Sequence, residues 1–511
     1  MIASLVAAAG DFTATNVDYH ALAPEIVLAA GICLVLIVDL FVDERQRWIT
    51  STLAGFALLG ALVPVVTLAV IGGDVRNALG GELLDGRYVV DEYALILKAL
   101  FLIAGYVVVL MSSDEIESGK YHQGEYYVLL LSSVLGMVMM ASSRDLISIF
   151  VALEFLSIPA YMLAAWNKRN AKGNEAGMKY YLLGVFASAI LLYGMSLLYG
   201  VTGTTLLSDI GPAITANGQF SGVEALAVVF VVVGFAFKVS AVPFHQWAPD
   251  VYEGAPTPIT AFLSVASKAA GFVALTTMVF LAFPLASDVY QPFMWVLAVT
   301  SMTVGNLLAL RQTNIVRMLA YSSISQGGFI LMPLTVAGEK GVGESVLKAV
   351  VVYLVVYAVT NLGAFAVVIA VAKKTRSGEI SSFGGLFSYA PALGVLMTVF
   401  LASLAGIPPL GGWFAKFGAF KAVLDADTNW GYSIAVIAAL NTVIAAAYYV
   451  TVMREIWMKP VPDGDVTPIR TPSSIQAALV ITCGATVVLG VLPDLVARFG
   501  DLTDLTGAIG R

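Results

Sequence analysis

The sequence predicts an all-α integral membrane protein, and two properties of the 511-residue chain carry that prediction. Hydrophobic residues make up 59% of it and charged residues only 12%, and the mean hydropathy is +0.88. Soluble domains carry about 25% charged residues. The apolar residues also form continuous runs, whereas transmembrane β-barrels show an alternating pattern. These properties exclude an ordinary soluble enzyme, a nucleic-acid-binding protein and a disordered chain.

Fourteen apolar runs are long enough to cross a bilayer, where one helix needs about 20 mostly apolar residues. In chain order they are 22–42, 49–72, 92–111, 126–141, 143–165, 178–200, 224–242, 257–283, 289–310, 314–336, 346–372, 390–424, 429–457 and 474–497. Spans 4 and 5 are separated only by a tight polar turn at 142–145. We therefore expect a single membrane domain over residues 1–511.

Two of the fourteen spans are predicted to be broken helices. Span 7 runs into Pro243, and span 12 is interrupted at 406–412 by Pro408, Pro409 and three glycines. Proline removes a backbone donor and kinks a helix, and the freed polar groups survive in a membrane only beside protein or a cavity. Lys238 and Lys416 are therefore expected to lie at discontinuous helices, beside protein or a cavity.

An internal repeat is predicted from features that recur five spans apart. Spans 6 and 11 both begin near a Glu-to-Lys pair four residues apart, Glu175 with Lys179 and Glu344 with Lys348, and the broken spans 7 and 12 have the same offset. Because five is odd, the two units insert in opposite orientations, as in many transporters. We expect inverted five-helix repeats over 126–283 and 289–457. Glu-to-Lys pairs are common at helix starts, so the prediction needs both features.

The distribution of basic residues predicts the orientation. With the N-terminus outside, fifteen basic residues fall inside and eight outside, the pattern of the positive-inside rule. The inside set is Arg45, Arg47, Lys120, Lys168, Arg169, Lys172, Lys179, Arg311, Arg317, Lys373, Lys374, Arg376, Arg454, Lys459 and Arg470, and the outside set is Arg76, Arg87, Arg144, Lys340, Lys348, Lys421, Arg498 and Arg511. Both termini are thus expected outside. The first twenty residues lack a basic segment and are not expected to be a signal peptide.

The remaining four basic residues lie within the predicted spans, and one of them has a simple explanation. Lys98 follows Asp91 and Glu92 closely in the third span. A lysine side chain buries its aliphatic stem and extends its ammonium to the membrane surface when the distance is short. We expect Lys98 to reach the interface in this way.

Lys238 ends the apolar run of span 7, Lys268 is the only charge in span 8, and Lys416 follows the break in span 12. Glu154 lies in the middle of span 5. A charge near the bilayer centre costs about 2.5–3.5 kcal/mol, so each must face a protein interior or a hydrated cavity. Two readings remain open: ion pairs that fix helix register, with Glu154 as a partner, or a proton relay. Four such residues in one chain favour the relay, because a desolvated lysine gives up its proton readily. His245, beside Pro243, fits either a relay or a helix cap.

The sequence gives no reason to expect a cofactor, a metal or a nucleotide. Cys33 and Cys483 both lie in apolar stretches, and His20, His122 and His245 are scattered along the chain. Metal sites need clustered ligands, and nucleotide sites need glycine-rich loops that are absent here. The expected surroundings are lipid and other membrane proteins.

Two motifs resemble a known family, the antiporter-like membrane subunits of respiratory complex I, which are related to subunits of multisubunit cation/proton antiporters. The motifs are PFHQWAPDVYEGAPTP at 243–258 and GIPPLGGWFAKF at 406–417. The resemblance covers essentially the whole chain. Lys416 in the broken span 12, and the lack of a long lateral helix after span 14, favour the subunit N branch over the L and M branches.

The resemblance implies a function and a role for each intramembrane charge. The chain would translocate protons in a bacterial plasma membrane, beside other antiporter-like subunits, while quinone, flavin and iron–sulfur chemistry belong to other subunits. Glu154 corresponds to the glutamate that modulates the lysine of span 7, here Lys238. Lys268 corresponds to a connecting residue and Lys416 to the residue towards the exit. Lys179 resembles a further relay lysine of span 6, with an interfacial position as the alternative.

The residues themselves leave rivals to this reading. We expect protons to enter near Lys238, pass Lys268 through bound water and leave by Lys416, with a Glu154–Lys238 ion pair as the switch. A stand-alone cation/proton antiporter would transport without redox partners. A non-pumping scaffold would use the same charges only to orient helices. A solute transporter is less favoured, because no polar residues beyond the titratable row suggest a pocket.

Overall fold

The computed structural model describes residues 16–43, 46–71, 76–80, 86–117, 124–215 and 222–497. Arg45, Lys120, His122, Arg498 and Arg511 lie outside the described residues, as do both chain termini and most of the first twenty residues. The predicted position of the termini and the absence of a signal peptide therefore stay predictions.

Helices make up most of the described chain. They are α1 (Ala23–Asp39), α2 (Trp48–Ile71), α3 (Glu92–Glu117), α4 (Gly124–Ser142), α5 (Leu146–Ala164), α6 (Ala171–Thr202), α7 (Leu207–Thr215), α8 (Gly222–Lys238), α9 (Trp247–Gly254), α10 (Thr257–Ala282), α11 (Ser287–Ala309), α12 (Ile315–Leu331), α13 (Gly343–Thr375), α14 (Leu386–Tyr389), α15 (Pro391–Ala405), α16 (Gly411–Asp425), α17 (Asn429–Met458), α18 (Ser473–Val491) and α19 (Asp494–Ala497). Four two-residue strands, β1 (Asn16–Val17), β2 (Arg76–Asn77), β3 (Leu79–Gly80) and β4 (Val89–Val90), form the antiparallel pairs β1–β3 and β2–β4.

The predicted all-α membrane fold is confirmed, and each of the fourteen predicted runs contains helix. Among the described residues, ten helices are both apolar and long enough to cross a membrane: α2, α3, α4, α5, α6, α10, α11, α13, α17 and α18. Runs 1, 7, 10 and 12 hold α1, α8, α12 and α15, which have 15 to 17 residues. The exact number of fourteen spans therefore stays a prediction.

The burial pattern fits a bundle surrounded by lipid. Two helices, α10 and α13, lie almost entirely inside the protein. Outer helices expose large apolar side chains such as Phe56, Val70 and Val443, with exposed fractions of 65%, 79% and 72%. An apolar outer surface matches hydrocarbon, in which only backbones with internal hydrogen bonds are stable.

Both predicted helix breaks are confirmed. Helix α8 ends at Lys238, residues 239–246 are not helical, and α9 follows. Helix α15 ends at Ala405, and Gly406 adopts the left-handed conformation (φ +88°) that glycine favours at helix ends, before α16 begins at Gly411. Helix α10 also contains two π-helical segments, Leu263–Ser267 and Met278–Ala282, the first directly before Lys268.

The N-terminus of α5 is fixed to the segment that follows α6. The Asp145 carboxylate caps α5 by accepting from two backbone N–H groups of its first turn. The backbone N–H of Leu146 donates to the Thr205 carbonyl (2.9 Å), and the N–H of Leu207 donates to the Arg144 carbonyl (3.0 Å). These two backbone hydrogen bonds form a short antiparallel bridge between the start of α5 and the segment after α6.

The same construction recurs at the N-terminus of α12, in the second predicted repeat. Asn314 caps α12 in the same way. The N–H of Ile315 donates to the Gly378 carbonyl (2.8 Å), and the N–H of Ile380 donates to the Thr313 carbonyl (2.7 Å), in the segment that follows α13. The predicted spans 5 and 6 are therefore tied together as spans 10 and 11 are.

Candidate functional site

Lys238 lies inside the bundle, at the C-terminal end of α8, with 5% of its surface exposed. Its Nζ donates to the Ser157 hydroxyl on α5 (2.8 Å) and to the Tyr180 hydroxyl on α6 (3.5 Å). The same Nζ is 5.8 Å from the centre of the Tyr180 ring, within the range of a cation–π contact. The expected protein-interior position of this lysine is confirmed.

The position of Glu154 differs from the expected ion pair. Its carboxylate accepts a hydrogen bond from the Ser188 hydroxyl on α6 (2.6 Å), and the side chain is half-buried. Both residues are described, and Glu154 does not form a direct ion pair with Lys238, whose ammonium is bonded to hydroxyls instead. The residue of α5 that contacts the lysine is Ser157, one helical turn after Glu154.

Lys268 is buried on α10, with 2% of its surface exposed. Its Nζ donates to the hydroxyl (2.5 Å) and to the backbone carbonyl (2.9 Å) of Ser323 on α12. One turn after Lys268, Gly271 packs against the stem of Lys238, and a Cβ at Gly271 would lie 2.9 Å from the Lys238 Cγ. The absence of a side chain at Gly271 therefore lets the first lysine lie directly against the helix that carries the second.

Lys416 is buried after the second break, with 4% of its surface exposed. Its Nζ donates to the carbonyl of Ala405 at the end of α15 (3.0 Å) and lies 4.8 Å above the Phe329 ring. The broken helix thus supplies a free carbonyl to the ammonium. Beside Lys416 is a cavity of about 10 Å³, close to the smallest that holds one water molecule. Its polar lining includes Gln326, Tyr353, Tyr357, Thr360 and Ser403.

Polar side chains that the sequence reasoning missed lie between Lys268 and Lys416. The hydroxyls of Ser322 on α12 and Tyr449 on α17 are 2.5 Å apart. The Gln326 amide donates to Tyr449 (3.2 Å) and accepts from the Tyr353 hydroxyl on α13 (2.6 Å). The signal was present in the sequence, because residues 322–326 read SSISQ within an otherwise apolar span.

Lys179 lies apart from the three buried lysines. Its side chain is 39% exposed and pairs with Glu175 (2.7 Å) and with Asp250 on α9 (2.6 Å). Asp250 also pairs with Arg317 at the start of α12 (2.9 Å). Lys179 thus belongs to a partly exposed network where α6, α9 and α12 meet, which fits its interfacial alternative.

His245 lies in the non-helical segment between α8 and α9. Its side chain is half-buried, and its Nδ1 is buried without a hydrogen-bond partner among the described residues. His245 does not cap a helix with its side chain, since the N-cap residue of α9 is Gln246.

The expectation that Lys98 extends to the membrane interface is wrong. Its side chain is fully buried and pairs with Glu25 in the first turn of α1 (2.7 Å). The hydroxyl of Tyr88 donates to the same carboxylate (2.6 Å). Because Glu25 supplies a negative charge inside the bundle, the ammonium has a partner there.

With this geometry established, comparison with known proteins identifies the family. A family model described as "NADH:quinone oxidoreductase/Mrp antiporter, TM" matches residues 143–442. NADH-quinone oxidoreductase subunit N of Trichlorobacter lovleyi is 37% identical over 486 residues, which are 95% of this chain and 96% of that protein.

Solved structures show the same fold. A chain in the structure of respiratory complex I from Thermus thermophilus with bound aureothin is 31% identical, with a TM-score of 0.74 over 93% of this chain and 98% of that one. A chain of the Mrp complex from Dietzia sp. has a TM-score of 0.82 over 96% and 99%, but at 20% identity it shows the fold alone.

The chain therefore belongs to the family of transmembrane subunits shared by NADH:quinone oxidoreductase and Mrp antiporters. It is an antiporter-like, multi-pass membrane subunit of a respiratory oxidoreductase complex, as the sequence resemblance implied. The full-length match to a subunit N agrees with the branch that the sequence favoured.

Proposed function

We propose that this chain translocates protons across a bacterial plasma membrane through Lys238, Lys268 and Lys416, driven by quinone reduction in other subunits of NADH:quinone oxidoreductase. The observation that carries the proposal is the burial of three ammonium groups, each hydrogen-bonded to neutral oxygens. An uncompensated charge in the membrane is expensive and typically functional. A lysine held by hydroxyl and carbonyl oxygens is free to exchange its proton, whereas a lysine in a close ion pair is held charged.

Glu154 is proposed to control the charge of Lys238. It lies on α5 one helical turn before Ser157, which holds the Lys238 ammonium. In the described arrangement Ser157 holds the ammonium, and Ser188 holds the carboxylate. If α5 or α6 shifts so that the carboxylate replaces the serine, the attraction stabilises the charged lysine. Returning to the described arrangement favours release of the proton towards Lys268. His245, whose buried Nδ1 has no hydrogen-bond partner in the described part of the chain, is proposed as a water-linked group near the entry.

Lys179 is proposed to act through the surface network and not as a link of the buried row. It pairs with Asp250, on the helix that follows the break after Lys238. Movement of α9 would therefore change both the Lys179 pair and the entry region. In this proposal Lys179 acts at the edge of the relay.

The proposal also covers the role of the chain in its complex. The redox groups would belong to other subunits, and neighbouring antiporter-like subunits would pack against the exposed apolar faces.

Both termini would lie on the periplasmic side, so that the segment after α6 is outside and the segment after α13 inside. A cysteine introduced at the exposed Ser208 should react with an impermeant maleimide added on the periplasmic side, and one at the exposed Ser381 with reagent added on the cytoplasmic side. The reverse pattern, or labelling of both from one side, would refute this orientation.

A second candidate is a subunit of a multisubunit cation/proton antiporter. It is favoured by the family description, which names both groups, and by the shared fold with the Mrp complex. Purification of the native chain separates the two: the main proposal requires redox subunits in the same complex, and the alternative requires their absence.

The experiment that tests the relay compares Lys238→Ala and Glu154→Ala with wild type in the assembled complex, in sealed membrane vesicles. We expect NADH oxidation to pump fewer protons per electron in both variants, with a larger loss for Lys238→Ala because that residue carries the proton. Complex content, measured on the same vesicles, separates pumping from assembly. An unchanged proton-to-electron ratio in assembled Lys238→Ala would falsify the assignment.

A further inference from the structure

Ser323 connects Lys268 to a tyrosine on another helix. Its hydroxyl oxygen accepts a hydrogen bond from the Lys268 ammonium (2.5 Å), and its backbone carbonyl accepts a second one (2.9 Å). The same hydroxyl interacts with the hydroxyl of Tyr357 on α13. Ser323 is fully buried and Tyr357 is 4% exposed, so both hydroxyls are shielded from bulk water. A polar contact thus leads from the second buried lysine to α13.

Tyr357 also belongs to the surroundings of the third buried lysine. Its side chain lines the cavity of about 10 Å³ beside Lys416, which is close to the smallest that holds one water molecule. Tyr353, one helical turn earlier on α13, lines the same cavity, but its hydroxyl donates its proton to the oxygen of the Gln326 amide (2.6 Å). Tyr357 therefore both contacts the partner of Lys268 and lines the cavity of Lys416.

The hydrogen bonds of Asn361 orient the Tyr357 hydroxyl. Ser264 donates its own proton to the Ala261 carbonyl (2.9 Å), so its oxygen accepts from the Asn361 amide nitrogen (2.9 Å). The same nitrogen also donates to the Tyr357 oxygen (3.1 Å). Because Tyr357 is the acceptor in that bond, its own proton is available for a different group, such as Ser323 or a water molecule in the cavity.

The donors and acceptors of Ser323 fit transfer in the direction of Tyr357. The Ser323 oxygen accepts from the ammonium of Lys268, so the proton of its hydroxyl is left for another acceptor. The Tyr357 oxygen accepts one bond from Asn361 and has a second lone pair. A hydroxyl accepts and donates at the same time, so two hydroxyls in contact pass a proton by exchanging one bond for the next.

We propose that the Tyr357 hydroxyl is the link that carries the proton from Lys268 to Lys416. The inference rests on the proposed proton translocation and adds the group through which one step passes. The Lys268 ammonium loses a proton to the Ser323 oxygen as Ser323 passes its own proton to Tyr357. Tyr357 in turn gives its proton, through one water molecule in the cavity, to a neutral Lys416. Lys268 ends neutral and Lys416 charged, and each hydroxyl again holds one proton.

The test removes only the hydroxyl of the tyrosine. In sealed vesicles with equal contents of assembled complex, we expect Tyr357→Phe to lower the number of protons pumped per electron as much as Lys268→Ala does, because both break the same step. Tyr353→Phe should cause a smaller fall, since the proton of its hydroxyl is donated to an amide. Tyr126→Phe is the matched control and should keep the wild-type ratio. The buried Tyr126 hydroxyl also meets a serine, Ser112 (2.8 Å), but between α3 and α4.

A wild-type ratio in assembled Tyr357→Phe overturns the link, as does an equal fall in Tyr353→Phe or in Tyr126→Phe, which would indicate a general effect of losing a buried hydroxyl. Should Tyr357→Phe fail to assemble, Ser323→Ala removes the preceding hydroxyl, with the same expectation and the same refutation. The Lys268→Ala ratio separates the two levels. If that ratio is unchanged the relay itself fails, and if it falls while Tyr357→Phe keeps the wild-type ratio only the link fails.

Discussion

At the scale of single residues, the cost of charge in a membrane singles out three lysines in the sequence, but it does not predict their hydrogen-bond partners. Lys238, Lys268 and Lys416 stand out in the sequence because each interrupts an apolar run. Their hydrogen-bond partners are hydroxyls and carbonyls on other helices. A polar run such as 322–326 is visible in the sequence, but the sequence does not show which lysine its hydroxyls and carbonyls meet. In the described arrangement Glu154 is apart from Lys238, and Ser157, one turn further along the same helix, holds the ammonium.

The partner of Lys98 was also not predictable from the sequence. Its nearby acids, Asp91 and Glu92, suggested an interfacial position, but Asp91 pairs with Arg144 (2.9 Å). The actual partner of Lys98, Glu25, lies 73 residues earlier in the chain, on another helix. Sequence distance alone does not reveal which acid a buried lysine meets.

The Lys98–Glu25 pair gives a prediction about stability. Removing one member of a buried pair leaves an unpaired charge, which typically costs about 3–5 kcal/mol. We expect Lys98→Met alone to lower the thermal stability of the complex strongly. The double variant Lys98→Met/Glu25→Gln should recover most of the loss, because no charge is left unpaired. Equal stability of the single and double variants, by thermal unfolding in detergent, would show that the unpaired Glu25 charge is not what destabilises Lys98→Met.

At the scale of elements, proline and glycine made the two breaks predictable, whereas other features had no signal. Pro243 and the 406–412 segment give the interruptions after α8 and α15. The π-helical segments of α10 were not predicted, because an apolar run has the same appearance with either helical geometry. The short helix α7 was also missed, because it lies outside the long apolar runs. Apolar runs therefore predict the long helices. They do not predict π-helical segments or short helices, which depend on tertiary contacts.

The α5 bridge gives a prediction about one element. The Asp145 carboxylate caps α5, accepts from the Thr205 hydroxyl (2.5 Å) and pairs with Arg87. Asp145→Ala removes all three interactions, so we expect a loss of about 2–4 kcal/mol. Asn170, which caps the more exposed start of α6 through one N–H, is the control. Asn170→Ala should cost less, about 0.5–1 kcal/mol.

Thermal unfolding of the two variants in the same detergent checks this order. A drop for Asp145→Ala no larger than that for Asn170→Ala would mean that the bridge does not stabilise α5.

At the scale of the whole molecule, the predicted inverted repeats gain support from two equivalent bridges. The start of α5 is joined to the segment after α6, and the start of α12 to the segment after α13, by matching backbone hydrogen bonds. The offset is again five predicted spans. The sequence indicated this symmetry only through the breaks and the Glu-to-Lys pairs, since the bridges are made by backbone atoms of dissimilar residues. The boundaries 126–283 and 289–457 stay predictions.

The buried lysines at the two helix breaks lie on opposite sides of their breaks. Lys238 lies before the first break, and Lys416 lies after the second. With repeats inserted in opposite orientations, the two lysines would serve opposite halves of the membrane. Lys268 on the central helix α10 would join them.

The most direct measurement of the central claim is the number of protons pumped per electron by complexes that carry Lys416→Ala or Lys421→Ala. Both lysines are on α16, but Lys416 is buried, while Lys421 is exposed and pairs with Asp425 (2.7 Å). The relay predicts a lower ratio for Lys416→Ala and a wild-type ratio for Lys421→Ala, at equal complex content. A wild-type ratio in both variants would contradict the account and favour a scaffold in which the buried lysines only orient helices.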